Sequence, residues 1–141
     1  MTEIISNQIK EQLIAEAQKI QQNSYSPYSN FPVGSAVLTR NGRIVSGVNV
    51  ENVSYGLTRC AEQNAIGTMV SQGETEIIAV AVSSRNGVTP CGACRQVLLE
   101  FALGDIPVWL IATDTGKISQ TSLHKLIPDS FNKDLLDAAT A

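Results

Sequence analysis

Three cysteines and one carboxylate carry most of the chemistry open to this chain. Cys60 stands alone, Cys91 and Cys94 form a Cys-x-x-Cys pair, and Glu62 follows two positions after Cys60. The sequence holds three cysteines in all, an odd number that cannot pair completely within one chain. In a reducing compartment such cysteines more often bind metal or do redox work than staple a fold. Thiolates around a tetrahedral centre favour zinc. Three protein ligands leave a fourth position open, the pattern of a catalytic metal site rather than a closed structural one. Glu62, two residues along a helix from Cys60, points away from the ligand direction. It is a poor ligand there but stands beside the open corner, where an acid takes and returns protons.

Two other readings stay open on these residues alone. A structural zinc site would need a fourth ligand, and the one histidine, His124, lies far along the chain in what reads as a surface helix. A dithiol redox pair at Cys91 and Cys94 is also chemically sound. It leaves Cys60 and the spacing to Glu62 unexplained.

To bring three sulfurs together the chain must set two helix starts side by side. Helix N-termini also lower thiol pKa through the backbone dipole, which makes thiolates accessible. Apolar residues at Ile5, Ile9, Leu13, Ala17 and Ile20 predict an amphipathic helix over the first twenty or so residues. Residues 25–32, rich in proline and aromatics, read as an ordered loop. Strands over residues 33–39 and 43–50 flank the hairpin signal Asn41-Gly42. A helix over 58–71 stops at Gly73, and the apolar run 76–82 reads as a strand buried on both faces. Pro90 opens a helix to about Phe101. Strands follow at 107–112 and, weakly, at 117–120 around a turn at Asp114-Thr115-Gly116, then a short helical piece at 122–126 stopped by Pro128. The order predicts an α/β layer architecture with a mixed sheet.

Bulk properties narrow the function. A length of 141 residues predicts one domain, 1–141, and 43% hydrophobic residues are enough for a core without disulfides. The net charge of −3 disfavours a polynucleotide partner. Residues 1–10 lack the apolar stretch of a signal peptide, and the apolar runs are far shorter than a membrane span. A cytoplasmic location and no membrane partner are expected.

At this point the residues resemble a family. Cys60-Ala61-Glu62 followed by Pro90-Cys91-Gly92-Ala93-Cys94-Arg95-Gln96 is similar to the signature of the zinc nucleoside and base deaminases. Residues 25–34 (Tyr-Ser-Pro-Tyr-Ser-Asn-Phe-Pro-Val-Gly) and 49–56 (Asn-Val-Glu-Asn-Val-Ser-Tyr-Gly) look like those of the small homotetrameric cytidine deaminases. The resemblance covers roughly residues 25–131. It implies a three-layer α/β/α sandwich around a five-stranded mixed sheet, one Zn²⁺ per subunit, and a homotetramer with active sites at subunit interfaces. It implies that Cys60, Cys91 and Cys94 bind the zinc and that Glu62 is the catalytic acid–base. By resemblance Asn49 and Glu51 hold the ribose, Phe31 packs on the pyrimidine, Ala61 contacts the base edge, Phe131 reaches a neighbouring subunit's pocket, and Tyr55 orders the site at the subunit contact. The implied reaction is hydrolysis of cytidine and 2′-deoxycytidine to uridine and 2′-deoxyuridine.

One position departs from the pattern. Three-cysteine members usually place an arginine after the glutamate to offset the negative charge of a tris-thiolate zinc; here that residue is Gln63. One of Arg59 and Arg95 is therefore expected to supply the compensation by hydrogen bonding a ligand sulfur, with solvent-exposed helix arginines and unaided helix dipoles as the alternatives. Deamination of a related aminopyrimidine nucleoside such as blasticidin S is the nearest rival, and the Asn49-x-Glu51 pair favours an ordinary nucleoside over it. A non-catalytic zinc-stabilised interaction protein is a further alternative, against which Glu62 argues.

Overall fold

Asn41-Gly42 turns strand β1 (Gly34–Thr39) back on strand β2 (Ile44–Val48), with Leu38 opposite Ile44 and Gly34 opposite Val48. Gly42 has φ of 89°, the left-handed geometry that tight hairpins require. The computed structural model describes residues 4–140, so residues 1–3 and 141 of the expected domain lie outside the described residues. Strand β3 (Ile77–Ser84) pairs antiparallel with β1 and parallel with β4 (Pro107–Ala112), and β5 (Ile118–Ser122) runs antiparallel to β4. The sheet order is β2-β1-β3-β4-β5, the five-stranded mixed sheet that was expected.

Both faces of β3 are covered, which explains its nearly unbroken apolar sequence. Helix α1 (Asn7–Gln21) lays Leu13, Ile14 and Ala17 on one face, against Ala36, Ala79, Ala81, Trp109 and Ile111. Helices α2 (Ala61–Ser71) and α3 (Gly92–Phe101) cover the other, where Ala65, Ile66, Met69 and Leu98 meet Val37, Val80, Val82 and Val108. The alternation of strand side chains sorts the two cores. Layers lie close at two glycines: a Cβ on Gly34 would sit 2.3 Å from the Ala17 carbonyl oxygen, and one on Gly47 2.4 Å from the Ala65 nitrogen.

Several boundaries move for local reasons. Helix α2 starts at Ala61 rather than residue 58, because Arg59 exchanges two backbone hydrogen bonds with Val50 (2.9 and 3.0 Å) and keeps the approach to Cys60 extended. A single 3₁₀ turn, Tyr55–Leu57, precedes it. Strand β2 ends at Val48, since Asn49 and Val50 turn to bond other partners, and β3 runs on to Ser84, whose hydroxyl accepts from the Gly87 and Val88 amides. Strand β5 runs on to Ser122, which caps the short helix α4 (Leu123–Leu126). An unexpected helix α5 (Lys133–Thr140) closes the described chain, with the Asn132 side-chain oxygen accepting from Leu135 N–H at 3.0 Å. Among the described residues no helix is long and apolar enough to cross a membrane.

Candidate active site

The two helices that share the inner core also share their starting points. Cys60 is the residue that caps α2, Cys91 caps α3, and Cys94 lies in the first turn of α3. Both caps are extended, with φ, ψ of −72°, 157° at Cys60 and −64°, 168° at Cys91. The three Sγ atoms lie within 4.8 Å of one another. Cys60 to Cys91 is 3.9 Å and Cys91 to Cys94 is 3.2 Å. Tetrahedral zinc–thiolate bonds of ~2.3 Å place sulfurs about 3.8 Å apart. One edge matches that spacing and another needs only to open slightly, so the trio fits zinc. Among the described residues no histidine, aspartate or glutamate joins the cluster. His124 is exposed and its backbone N–H donates to Asp105. The closed structural site therefore has no fourth protein ligand among the described residues.

Glu62 sits in the first turn of α2 with only 4% of its surface exposed. Burial pushes its carboxyl up from the usual value of 4.5 to about 7, and the negative charge of Cys60 adds to this. The Cys60 thiol is lowered, chiefly because Cys94 donates its S–H to it, with Cys91 and the nearby Arg59 charge assisting against burial. Cys94 is correspondingly raised, since it keeps the proton it shares with Cys60. A buried acid with a pKa of about 7 beside a cysteine cluster marks a reactive site.

The expected arginine contacts to sulfur are not present. Arg59 donates to the Thr58 carbonyl at 3.1 Å and acts on Cys60 only through its charge. Arg95 donates from Nε to the Pro90 carbonyl (2.7 Å) and from Nη1 and Nη2 to the Leu126 carbonyl (2.6 Å) and Thr89 hydroxyl (3.0 Å). Its planar fork ties the start of α3 to the C-terminal segment instead. The donor that does meet a sulfur is Gln63, whose Nε2 lies 3.6 Å from Cys94 Sγ. Gln63 stands where arginine was expected, and its side-chain amide on the first turn of α2 is long enough to reach across to α3.

The loop between α1 and β1 is organised by the two polar residues after β2. Asn49, 9% exposed, accepts at Oδ1 from Val33 N–H (3.0 Å) and from the Ser24 hydroxyl, and donates from Nδ2 to the Phe31 carbonyl (2.9 Å). Glu51 accepts at Oε1 from the amides of Tyr28 (3.0 Å) and Ser29 (3.1 Å), and at Oε2 from the Ser29 hydroxyl. The Ser29 hydroxyl and these amides hold the Glu51 carboxyl below its usual range. Asn49 and Glu51 thus act on the same loop, as a spacing of two along an extended chain allows. Glu51, Tyr28, Ser29, Tyr55 and Thr58 line a cleft of about 260 Å³. Tyr55 is 74% exposed and its ring stands 5.9 Å from that of Tyr28. Phe31 is half-buried, Ala61 fully buried. Phe131 is 65% exposed, lies outside the walls of that cleft, and accepts at its carbonyl from Gln96 Nε2 at 2.8 Å. Ser24 and Ser29 carry no distinguishing signal in the sequence, because small hydroxyls become informative only once their partners are placed.

The chain is similar to known proteins over most of its length. The family model described as the cytidine and deoxycytidylate deaminase zinc-binding region matches residues 7–110. A cytidine deaminase of Sporosarcina psychrophila is 44% identical over 131 residues, 92% of this chain and 96% of that protein. The crystal structure of cytidine deaminase from Burkholderia pseudomallei superposes with a TM-score of 0.82 at 37% identity, covering 90% of this chain and 100% of that one. A blasticidin-S deaminase of Bacillus cereus is 32% identical over 111 residues, 72% of this chain and 77% of that protein. The chain belongs to the zinc-dependent cytidine and deoxycytidylate deaminase family.

Proposed function

We propose that this enzyme converts cytidine and deoxycytidine to uridine and deoxyuridine with release of ammonia. The observation that carries the reading is a buried glutamate of raised pKa beside a three-sulfur cluster that fits zinc. When bound, zinc supplies a Lewis acid that brings the pKa of a coordinated water toward ~7. In this reading Glu62 accepts a proton from the attacking water as oxygen joins C4 of the ring, and delivers it to N3. Glu62 then takes the second proton, from the new C4 hydroxyl, and passes it to the amine; the C4–N bond breaks, the C4 carbonyl forms, and ammonia leaves. A carboxyl with a pKa of about 7 gives and takes protons with little bias at neutral pH, the condition for efficient acid–base work. Backbone groups at the helix starts, including Ala61 and Cys91, hold the base edge, while Phe31 covers the ring and Asn49 and Glu51 face the ribose.

The assembly we infer is a homotetramer in which Phe131 enters a neighbour's pocket and Tyr55 orders the contact. Supporting it, the segment around β2's exit exposes Val53 (76%), Tyr55 and Leu57 (59%), an apolar display that a monomer would normally cover. Three free thiols and the absence of a membrane-crossing helix among the described residues accord with a cytoplasmic enzyme. The higher identity to a cytidine deaminase (44%) than to a blasticidin-S deaminase (32%) supports an ordinary nucleoside over blasticidin S. The test is the ultraviolet change on cytidine and deoxycytidine, with and without chelator, for wild type and Glu62→Gln. Turnover abolished by chelation and reduced ~10²–10⁴-fold or more by Glu62→Gln is expected. Consumption of blasticidin S with cytidine ignored selects the rival.

A further inference from the structure

The segment leaving β3 begins with Arg85 and ends at Cys91, so one stretch of chain connects the sheet to the sulfur cluster. The Arg85 guanidinium stands 5.5 Å from the centroid of the Phe31 ring, and its Nη2 donates to the Asn30 carbonyl at 2.9 Å. Asn30 has φ of 53°, an uncommon conformation for a residue with a Cβ. The base of the arginine is fixed in turn, because its own carbonyl accepts from Asp114 N–H at 2.9 Å. Among the described residues no carboxylate lies within ion-pair distance of the guanidinium. Its charge is directed at an aromatic ring and a backbone carbonyl of the same loop.

We propose that Arg85 is a positioning residue for substrate binding, acting through Phe31. This rests on the deaminase reading, in which Phe31 packs on the pyrimidine. Asn49 and Glu51 hold the residue 28–33 region from the exit of β2. Arg85 holds it from the exit of β3 and covers one ring face. A cation over a ring and a hydrogen bond from a charged donor both restrict ring orientation. The predicted signature is therefore weaker binding with chemistry intact.

The experiment measures cytidine kinetics and uridine affinity by calorimetry for wild type, Arg85→Ala, Arg85→Lys, Phe31→Leu and the Arg85→Ala/Phe31→Leu double variant. Arg85→Ala is expected to raise KM and the uridine Kd together by about tenfold, with kcat changed less than about twofold. Arg85→Lys keeps a cation and recovers part of the loss. In the Phe31→Leu background Arg85→Ala adds less than about twofold, since the ring it positions is gone. An unchanged KM in Arg85→Ala, a loss confined to kcat, or a full tenfold effect that persists without Phe31 overturns the proposal. Arg85→Lys carries the test if Arg85→Ala does not fold. A wild type inert toward cytidine sinks the deaminase reading instead, whereas an active wild type with an indifferent Arg85 sinks this proposal alone.

Discussion

Glu62 is placed where the fold resists its charge, and the resistance has a measurable size. An acid whose pKa rises from 4.5 to about 7 on folding holds its proton more tightly in the native chain than in the unfolded one. Below about pH 4.5 both states are protonated and nothing is lost. As pH rises from there to about 7 the unfolded chain releases the proton first, so stability falls. Above about pH 7 the native carboxylate is charged as well, and the penalty levels off at about 3 kcal/mol, from 1.36 kcal/mol per pKa unit. Glutamine has almost the same shape and carries no charge. Metal-free Glu62→Gln should therefore match metal-free wild type near pH 4.5 and exceed it by about 3 kcal/mol at pH 8. The assay is urea unfolding with chelator and reductant present, at equal subunit concentration because assembly would shift the midpoint. With slopes of ~1–3 kcal/mol/M, the midpoint of Glu62→Gln should lie roughly 1 M or more higher at pH 8. A difference independent of pH, or no gain at pH 8, would refute the claim that burial raises this acid.

Other consequences are simpler to read. Gly47→Ala drives a Cβ to within 2.4 Å of the Ala65 nitrogen and 2.7 Å of the Ala61 carbonyl, both backbone atoms that cannot turn aside; thermal melts should show a loss of about 1–3 kcal/mol or failure to fold. Asn49→Ala leaves the Val33 amide and Phe31 carbonyl without their partner; each lost bond costs about 1–3 kcal/mol, so proteolysis of residues 25–33 should accelerate and KM should rise. Cys94→Ser removes a buried ligand; metal analysis after dialysis should find zinc depleted and deamination lost.

Legibility in the sequence followed the strength of local patterning. β3 was readable because Ala79 and Ala81 face one core and Val80 and Val82 the other, which leaves no polar position to interrupt the run. The hairpin was readable because Asn41-Gly42 has few other uses. The start of α2 was misplaced because nothing at residues 58–60 announces that Arg59 pairs with Val50, a partner supplied by the tertiary fold. α5 was missed because its residues are exposed and its signal is one capping asparagine. The sulfur trio was legible from residue type and spacing. The charge environment was not: Arg95 looked available in sequence, but its donors go to Pro90, Thr89 and Leu126, and Gln63 meets the sulfur.

The site also explains why its helices begin as they do. Ser, Thr, Asp and Asn are the usual caps, and α1 uses Ser6 in that way, its hydroxyl accepting from Ile9 N–H. α2 and α3 instead begin with cysteines, and the Cys60 side chain accepts no capping bond at all. Cys91 accepts from Cys94 N–H at 3.4 Å, a sulfur contact in place of an oxygen one. Each substitution of sulfur for oxygen weakens the helix start in the metal-free chain, as the buried Glu62 weakens the first turn of α2. All three concessions fall within reach of one metal ion, which joins the sulfurs and so fixes both helix starts together. Zinc binding should then protect the backbone amides at the starts of α2 and α3 from hydrogen exchange more than those of α1, whose start is capped without it. Equal protection across the three helices would mean that these caps hold unaided and that the metal contributes chemistry alone.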